Sequence, residues 1–218
     1  MARESKKSRR TRTSKILRTL SRLYPEAGTA LRHENPFQLL VATILSAQCT
    51  DERVNTVTPV LFRKFPGPDE MAKAAPGEME KIIKSTGFFR NKTKSVIGSS
   101  KAIVERFGGK VPSTMEELLT LPGVARKTAN VVLGNGFGIA EGVVVDTHVH
   151  RLSNRLRLST QKDPVKIEQD LMLLFPKKDW IKIADVLVLH GRSICKARTP
   201  LCGKCAVRKD CPCASHLR

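Results

Sequence analysis

Three groups of residues in this chain have types and spacings that chemistry can use. The first is Arg126-Lys127, which follows Leu121-Pro122-Gly123 across only two residues. Proline and glycine break the chain there, and Ala129, Val132, Leu133, Gly136 and Phe137 then recur at helical spacing. A tight turn therefore leads into a helix whose first turn carries two cations. Backbone N–H groups at such a turn lack partners within the helix, and the helix dipole makes the spot attractive to an anion such as a DNA phosphate. Arg126 and the same dipole disfavour a second positive charge, which raises the share of Lys127 present as neutral amine. A neutral lysine amine is a nucleophile able to form a Schiff base. The commoner use of such a side chain is a surface contact to phosphate.

The second group is Asp146, which closes a short apolar run at 143–145 and heads a further helical pattern. A carboxylate there can cap the helix, which is the ordinary role, or stabilise positive charge in front of it. The third is Cys195, Cys202, Cys205 and Cys211, spaced C-x6-C-x2-C-x5-C within 17 residues. Four cysteines so close in a basic chain without a secretory signal point to a metal rather than to disulfides. Spacing leaves zinc and an iron–sulfur cluster equally open, since both accept four thiolates. Cys213 falls outside the pattern as a spare thiol.

Charge narrows the partners. The 218 residues hold 39 Lys and Arg against 20 Asp and Glu, a net +19. That excess calls for a polyanion, nucleic acid or an anionic membrane surface. It is concentrated at the ends: nine Lys or Arg in residues 1–22 against Glu4, and seven in 190–218 against Asp210. No apolar run reaches the roughly 18 residues of a membrane span. The Arg- and Ser-rich start shares the composition of a mitochondrial presequence and is read instead as a basic DNA-binding arm.

The elements that must position these groups read as helices throughout, with no sustained two-residue alternation. Residues 1–13 form a basic tail, and Ser14 caps a helix bearing Ile16, Leu17, Leu20, Leu23 and Tyr24. Phe37, Leu40, Val41, Ile44 and Leu45 form a second stripe with Gln48 just beyond it. A third helix from Asp51 to Phe65 contains Pro59, which should kink or shorten it. Short pieces follow near 69–75 and 78–84, and Phe88 to Asn91 form a loop. Val96, Ile97, Ser100, Ile103, Val104 and Phe107 make a strong stripe closed by Gly108-Gly109. Ser113 and Glu116 form a capping box for a helix leading to the turn at 121–123. Pro164 opens a helix with Ile167, Leu171 and Leu174 inward, and Trp180, Ile183, Ala184, Leu187 and Val188 mark the last.

The segments LPGVARKTANVVL and VDTHV, together with LLVATILSAQCTD (39–51), STGFFRNK (85–92), HGRSIC (190–195) and the terminal cysteines, resemble the endonuclease III family of helix-hairpin-helix DNA glycosylases. The likeness covers nearly everything after the first dozen or so residues. One departure is Ala125, where the family's hairpin usually has a second glycine. The resemblance implies an all-α fold of two helical domains flanking a DNA-binding cleft. In it, residues 29–139 form a helical barrel domain with the hairpin at about 113–137. This domain is inserted into a second one made of 1–28 and 140–218, with a [4Fe–4S] loop at 195–211. It implies a bifunctional glycosylase and abasic-site lyase that acts as a monomer on double-stranded DNA with oxidised pyrimidines or abasic sites.

Residue by residue, the resemblance implies that Lys127 attacks C1′ and that Asp146 assists. Gln48 fills the gap left by a flipped base, Phe88 serves as an apolar wedge, and Gly123, Ala125 and Arg126 form the DNA-binding hairpin. Cys195, Cys202, Cys205 and Cys211 hold the [4Fe–4S] cluster. Asp51, in the same region, is a helix cap or a helper, and His190 and Arg192 support the cluster loop. Adjacent Phe88 and Phe89 could both be core residues. The alternative is a non-catalytic helix-hairpin-helix DNA-binding module, which needs the hairpin and the charge but gives Lys127 and Asp146 no reason to stand where they do.

Overall fold

A computed structural model describes residues 4–214, and among these every regular element is helical. The chain forms two compact units. One is the continuous segment Thr29–Ile139, and the other combines Met1–Gly28 with Ala140–Arg218.

The continuous unit is built round α2 (Pro36–Leu45) and α6 (Phe89–Phe107). Asn35 caps α2 by accepting from the Gln38 N–H, and Pro36 suits the first helical position, where no N–H is needed. Eight of its ten residues are buried, which makes α2 a core helix rather than an amphipathic one. Next come α3 (Asp51–Lys64), α4 (Pro68–Ala72) and α5 (Pro76–Ile83). Pro59 does not shorten α3, because it lies on the exposed side, where the carbonyl it leaves unpaired can turn to water. Thr50 caps that helix, so Asp51 is its first residue and not its cap.

A 3₁₀ turn, Lys84–Thr86, leads into α6. The helix begins at Phe89, so Arg90 and Asn91 belong to its first turn and not to a loop. Gly108 in the left-handed region ends it, with the Gly109 N–H reaching back to the Ile103 carbonyl at 3.0 Å. The next cap is Thr114, not Ser113. Its hydroxyl accepts from the Glu117 N–H and donates to the Glu117 carboxylate at 2.8 Å, which opens α7 (Met115–Leu119). The hairpin turn leads into α8 (Arg126–Val131), which continues as a π-helical turn, Val132–Gly136.

In the second unit, α1 starts at Lys6 and runs to Leu23, capped by Ser5. The expected tail and Ser14 cap are thus replaced by a helix nine residues longer at its start; residues 1–3 lie outside the described segment. The reason is tertiary. The Arg9 guanidinium donates to the Leu158 carbonyl at 2.6 Å, Arg12 donates to the Leu156 carbonyl at 2.8 Å, and Lys15 pairs with Asp210 at 3.0 Å. Part of the N-terminal charge therefore tethers the helix to its own unit. α9 (Thr147–Arg155), α10 (Pro164–Leu174) and α11 (Trp180–Ser193) complete the layer, with α11 against both α1 and α9. Two 3₁₀ turns, Cys202–Lys204 and Arg208–Asp210, shape the cysteine loop.

Candidate active site and metal centre

The hairpin turn is held on α6. Gly123 takes φ 77°, and a Cβ there would stand 2.5 Å from Ser95 Cβ, so only glycine fits. The Ser99 hydroxyl donates to the Pro122 carbonyl at 2.6 Å, and Leu121 and Val124 are buried on either side. Ala125 sits at φ −98° and ψ 170°, an ordinary extended conformation. The family's second glycine is therefore dispensable here, because this position makes no left-handed turn. Ala125 offers no side-chain cap to α8, so the first-turn N–H groups meet whatever faces the turn. Arg126 and Lys127 are exposed on that first turn, while Ala129 and Asn130 point into the core.

Gln48, Phe88 and Gly123 line one recess of this unit, together with Ile44, Asn91 and Lys92. Gln48 (φ 53°) and Phe88 (φ 46°) both have left-handed backbones. Among the described residues Arg157 alone of the other non-glycines does the same. Such conformations cost roughly 1–3 kcal/mol each and gather at functional sites. The adjacent phenylalanines part company: Phe89 packs against the core while Phe88 is 63 % exposed. A large apolar side chain held outward on a strained backbone is not a folding feature. Lys92, which sequence reasoning passed over, is a buried lysine of the same recess; its type and spacing carry no signal of burial.

Asp146 caps α9. One carboxylate oxygen accepts from both the His148 and Val149 N–H groups at 2.8 Å. These bonds fix the side chain. The half-buried His148 is held below its usual range by burial first, with the Asp146 charge opposing. Lys127 is carried by the continuous unit and Asp146 by the other.

Cys195, Cys202, Cys205 and Cys211 line one cavity, with about 390 Å³ of unfilled space, part of it open to solvent. Among the described residues no three His, Cys, Asp or Glu side chains are arranged to share a single metal ion. Burial first, with the neighbouring thiols adding to it, pushes the Cys205 and Cys211 thiols up. Ionising them there calls for a strong positive centre between them. Four thiols lining one cavity are a donor set that a thiolate-bound metal centre can use. Cys213 lies off the cavity lining.

The cavity's supports were only partly foreseen. His190 is fully buried, 3.4 Å from Cys205 Sγ and 3.1 Å from the Tyr24 hydroxyl, and burial pushes its pKa down to about 4. Arg155 donates to the Lys196 and Ala197 carbonyls at 2.7 and 2.8 Å and reaches Cys195 Sγ at 3.4 Å. Arg151 bonds the Gly191 carbonyl at 2.9 Å. A Cβ at Gly191 would lie 3.0 Å from His148 and Arg151 atoms, a tight approach that their side chains would have to yield to. The signal for these arginines was their i, i+4 spacing on one helix face.

The family model for HhH-GPD superfamily base excision DNA repair proteins matches residues 41–177. The chain belongs to that superfamily. Within it, the chain belongs to the endonuclease III family: it is 56 % identical to Endonuclease III of Synechocystis sp. over 207 residues, 95 % of this chain and 94 % of that one. It is 45 % identical to Endonuclease III of Bacillus subtilis over 190 residues, 87 % and 86 % of the two chains. Among solved structures it resembles a non-covalent Endonuclease III–DNA complex with a TM-score of 0.89 at 37 % identity, covering 95 % of this chain and 97 % of that one. A thermostable thymine-DNA glycosylase shares the fold, with a TM-score of 0.84 at 21 % identity over 94 % and 98 % of the chains.

Proposed function

We propose that this member of the endonuclease III family is a bifunctional DNA glycosylase and abasic-site lyase of base excision repair. Its substrate is duplex DNA carrying oxidised pyrimidines or abasic sites. The observation that carries the reading is an exposed lysine, Lys127, on the first turn of the helix that a glycine-dependent hairpin launches. A trapped covalent intermediate with DNA is known for an Endonuclease III that shares 37 % identity with this chain.

A damaged base reaches a catalytic side chain only after leaving the stack. Phe88, held outward, enters the duplex as an apolar wedge, the general device for kinking DNA. Gln48 occupies the vacated space. The hairpin's backbone N–H groups and Arg126 take the phosphate beside the lesion. The Lys127 amine attacks C1′. The new C–N bond forms as the glycosidic bond breaks, and the base departs with the bonding pair and takes up a proton. Positive charge spreads over the sugar in that step, and a carboxylate stabilises it. Asp146 supplies the carboxylate, its orientation fixed by its own cap bonds. The sugar ring then opens: the C1′–O4′ bond breaks as the nitrogen's lone pair forms the C=N bond, and O4′ takes up a proton. The resulting imine acidifies C2′. Loss of the C2′ proton sends its electron pair into a new double bond and expels the 3′ phosphate, nicking the strand.

Cys195, Cys202, Cys205 and Cys211 hold a [4Fe–4S] cluster. When bound, it ties the basic 195–211 loop into a fixed surface. Arg155 and His190 hold the loop's carbonyls and thiols from behind. No helix among the described residues is long and apolar enough to cross a membrane. The proposed site of action is the DNA itself, in the bacterial nucleoid.

Borohydride reduces an enzyme–DNA imine to a stable amine. Lys127→Ala abolishes such trapping on an abasic duplex while keeping most of the DNA affinity. Trapping that persists in Lys127→Ala removes the assignment. A wild-type protein that binds damaged duplex but never traps is a DNA-binding module only.

A further inference from the structure

Lys92 is 4 % exposed, and its ammonium donates to the Thr86 carbonyl at 2.7 Å. Burial holds that group below the usual lysine range, with the nearby Cys49 opposing. Among the described residues no carboxylate pairs with it. Burying a charge against a single carbonyl is costly, and an apolar side chain of similar length would fill the space without that cost.

The bond's position explains the exception. Lys92 grips the 86–88 segment from both sides: its side chain takes the carbonyl before Gly87, and its backbone N–H takes the Phe88 carbonyl at 3.0 Å. Between these two anchors stand two successive left-handed residues, Gly87 at φ 72° and Phe88 at φ 46°. A phenylalanine leaves that region readily unless its flanking peptides are fixed. Lys92 also lines the same recess as left-handed Gln48, the neighbour of Cys49. One buried ammonium thus adjoins both strained turns of the recess.

We propose that Lys92 is the positioning residue for DNA probing, its ammonium fixing the Thr86 carbonyl so that Phe88 stands outward as the wedge. The proposal rests on the assignment of Phe88 as the wedge. It requires no contact between Lys92 and DNA.

The test is a double-mutant cycle of Lys92→Met with Phe88→Ala, read by single-turnover base release from a thymine glycol duplex. A second readout is the fluorescence of 2-aminopurine placed opposite the lesion, which reports unstacking. Lys92→Met slows base release about 10- to 100-fold and removes the fluorescence rise. In the Phe88→Ala background it costs no more than about 2-fold, because it acts through a side chain already gone. Equal losses in both backgrounds, or no loss in either, overturn the proposal, since a general stabilising role is indifferent to Phe88. If Phe88→Ala alone releases base at the wild-type rate, the wedge assignment fails instead. Should Lys92→Met not fold, Gly87→Ala takes its place in the cycle. Nothing lies within 4 Å of a Cβ there, so it strains only the backbone, and the same two outcomes decide.

Discussion

Replacing Gly123 by alanine separates backbone strain from steric clash in the hairpin. The left-handed conformation costs a non-glycine residue about 1–2 kcal/mol. The new Cβ would also lie 2.5 Å from Ser95 Cβ and 2.6 Å from Ser95 Oγ. The Oγ can rotate away, but the Cβ is fixed to its helix, so the turn must lift off α6. Forced overpacking of this kind costs about 1–3 kcal/mol. Gly123→Ala therefore destabilises by about 2–5 kcal/mol in total. Adding Ser95→Gly removes the clash but not the strain, and itself costs roughly 0.5 kcal/mol of helix propensity. The double variant should recover part of the loss, down to about 2 kcal/mol. Ala125→Gly, at an ordinary backbone position, should change stability by no more than about 1 kcal/mol. Urea unfolding followed by far-ultraviolet circular dichroism measures all four proteins, and a lesion-duplex titration measures the turn's grip on phosphate. A Gly123→Ala protein as stable as wild type, or one that Ser95→Gly does not improve, would refute the steric account.

Asp146→Asn keeps a good capping side chain and should cost well under about 1 kcal/mol of stability, yet slow base release far more than it weakens DNA binding; equal losses in rate and affinity would reduce Asp146 to a cap. Burial pushes Asp185 up from 3.8 to about 6, partly offset by Lys182. The folded state thus favours the neutral acid, and its stability is full below the unfolded pKa and falls as pH rises toward the folded one. Asp185→Asn should match wild type near pH 4 and exceed it by up to about 3 kcal/mol above pH 6, and a gain in urea midpoint independent of pH would contradict this. Purified protein should contain about four irons per chain and absorb as an iron–sulfur protein. Cys202→Ser should lose both the iron and the protease resistance of the 195–211 loop, and a colourless zinc protein would overturn the cluster assignment.

Much of this molecule is local, and the local part is legible. The stripe from Val96 to Phe107 with its closing glycines, the cap at Asp146 and the proline at 164 each report a neighbourhood of a few residues. Such features survive translation from sequence to structure because helix period and capping act over one turn or less. The errors were also local in origin. Ser113 and Thr114 are equally good caps in isolation, and the choice between them depends on which residue the packing of Met115 and Leu118 brings into the first turn. The arginines at 9 and 12 looked like a free DNA arm because their partners, the Leu158 and Leu156 carbonyls, lie about 145 residues away.

The spacing of four cysteines, the basic balance and the order of the motifs stood in the primary structure, since composition and covalent spacing do not depend on folding. Which of two adjacent phenylalanines faces water, that Gln48 and Phe88 share a left-handed backbone in one recess, and that a lysine is buried beneath them depended on the packed chain. Those properties arise when segments 40 residues apart compete for the same space, and no short stretch of sequence records the outcome of that competition.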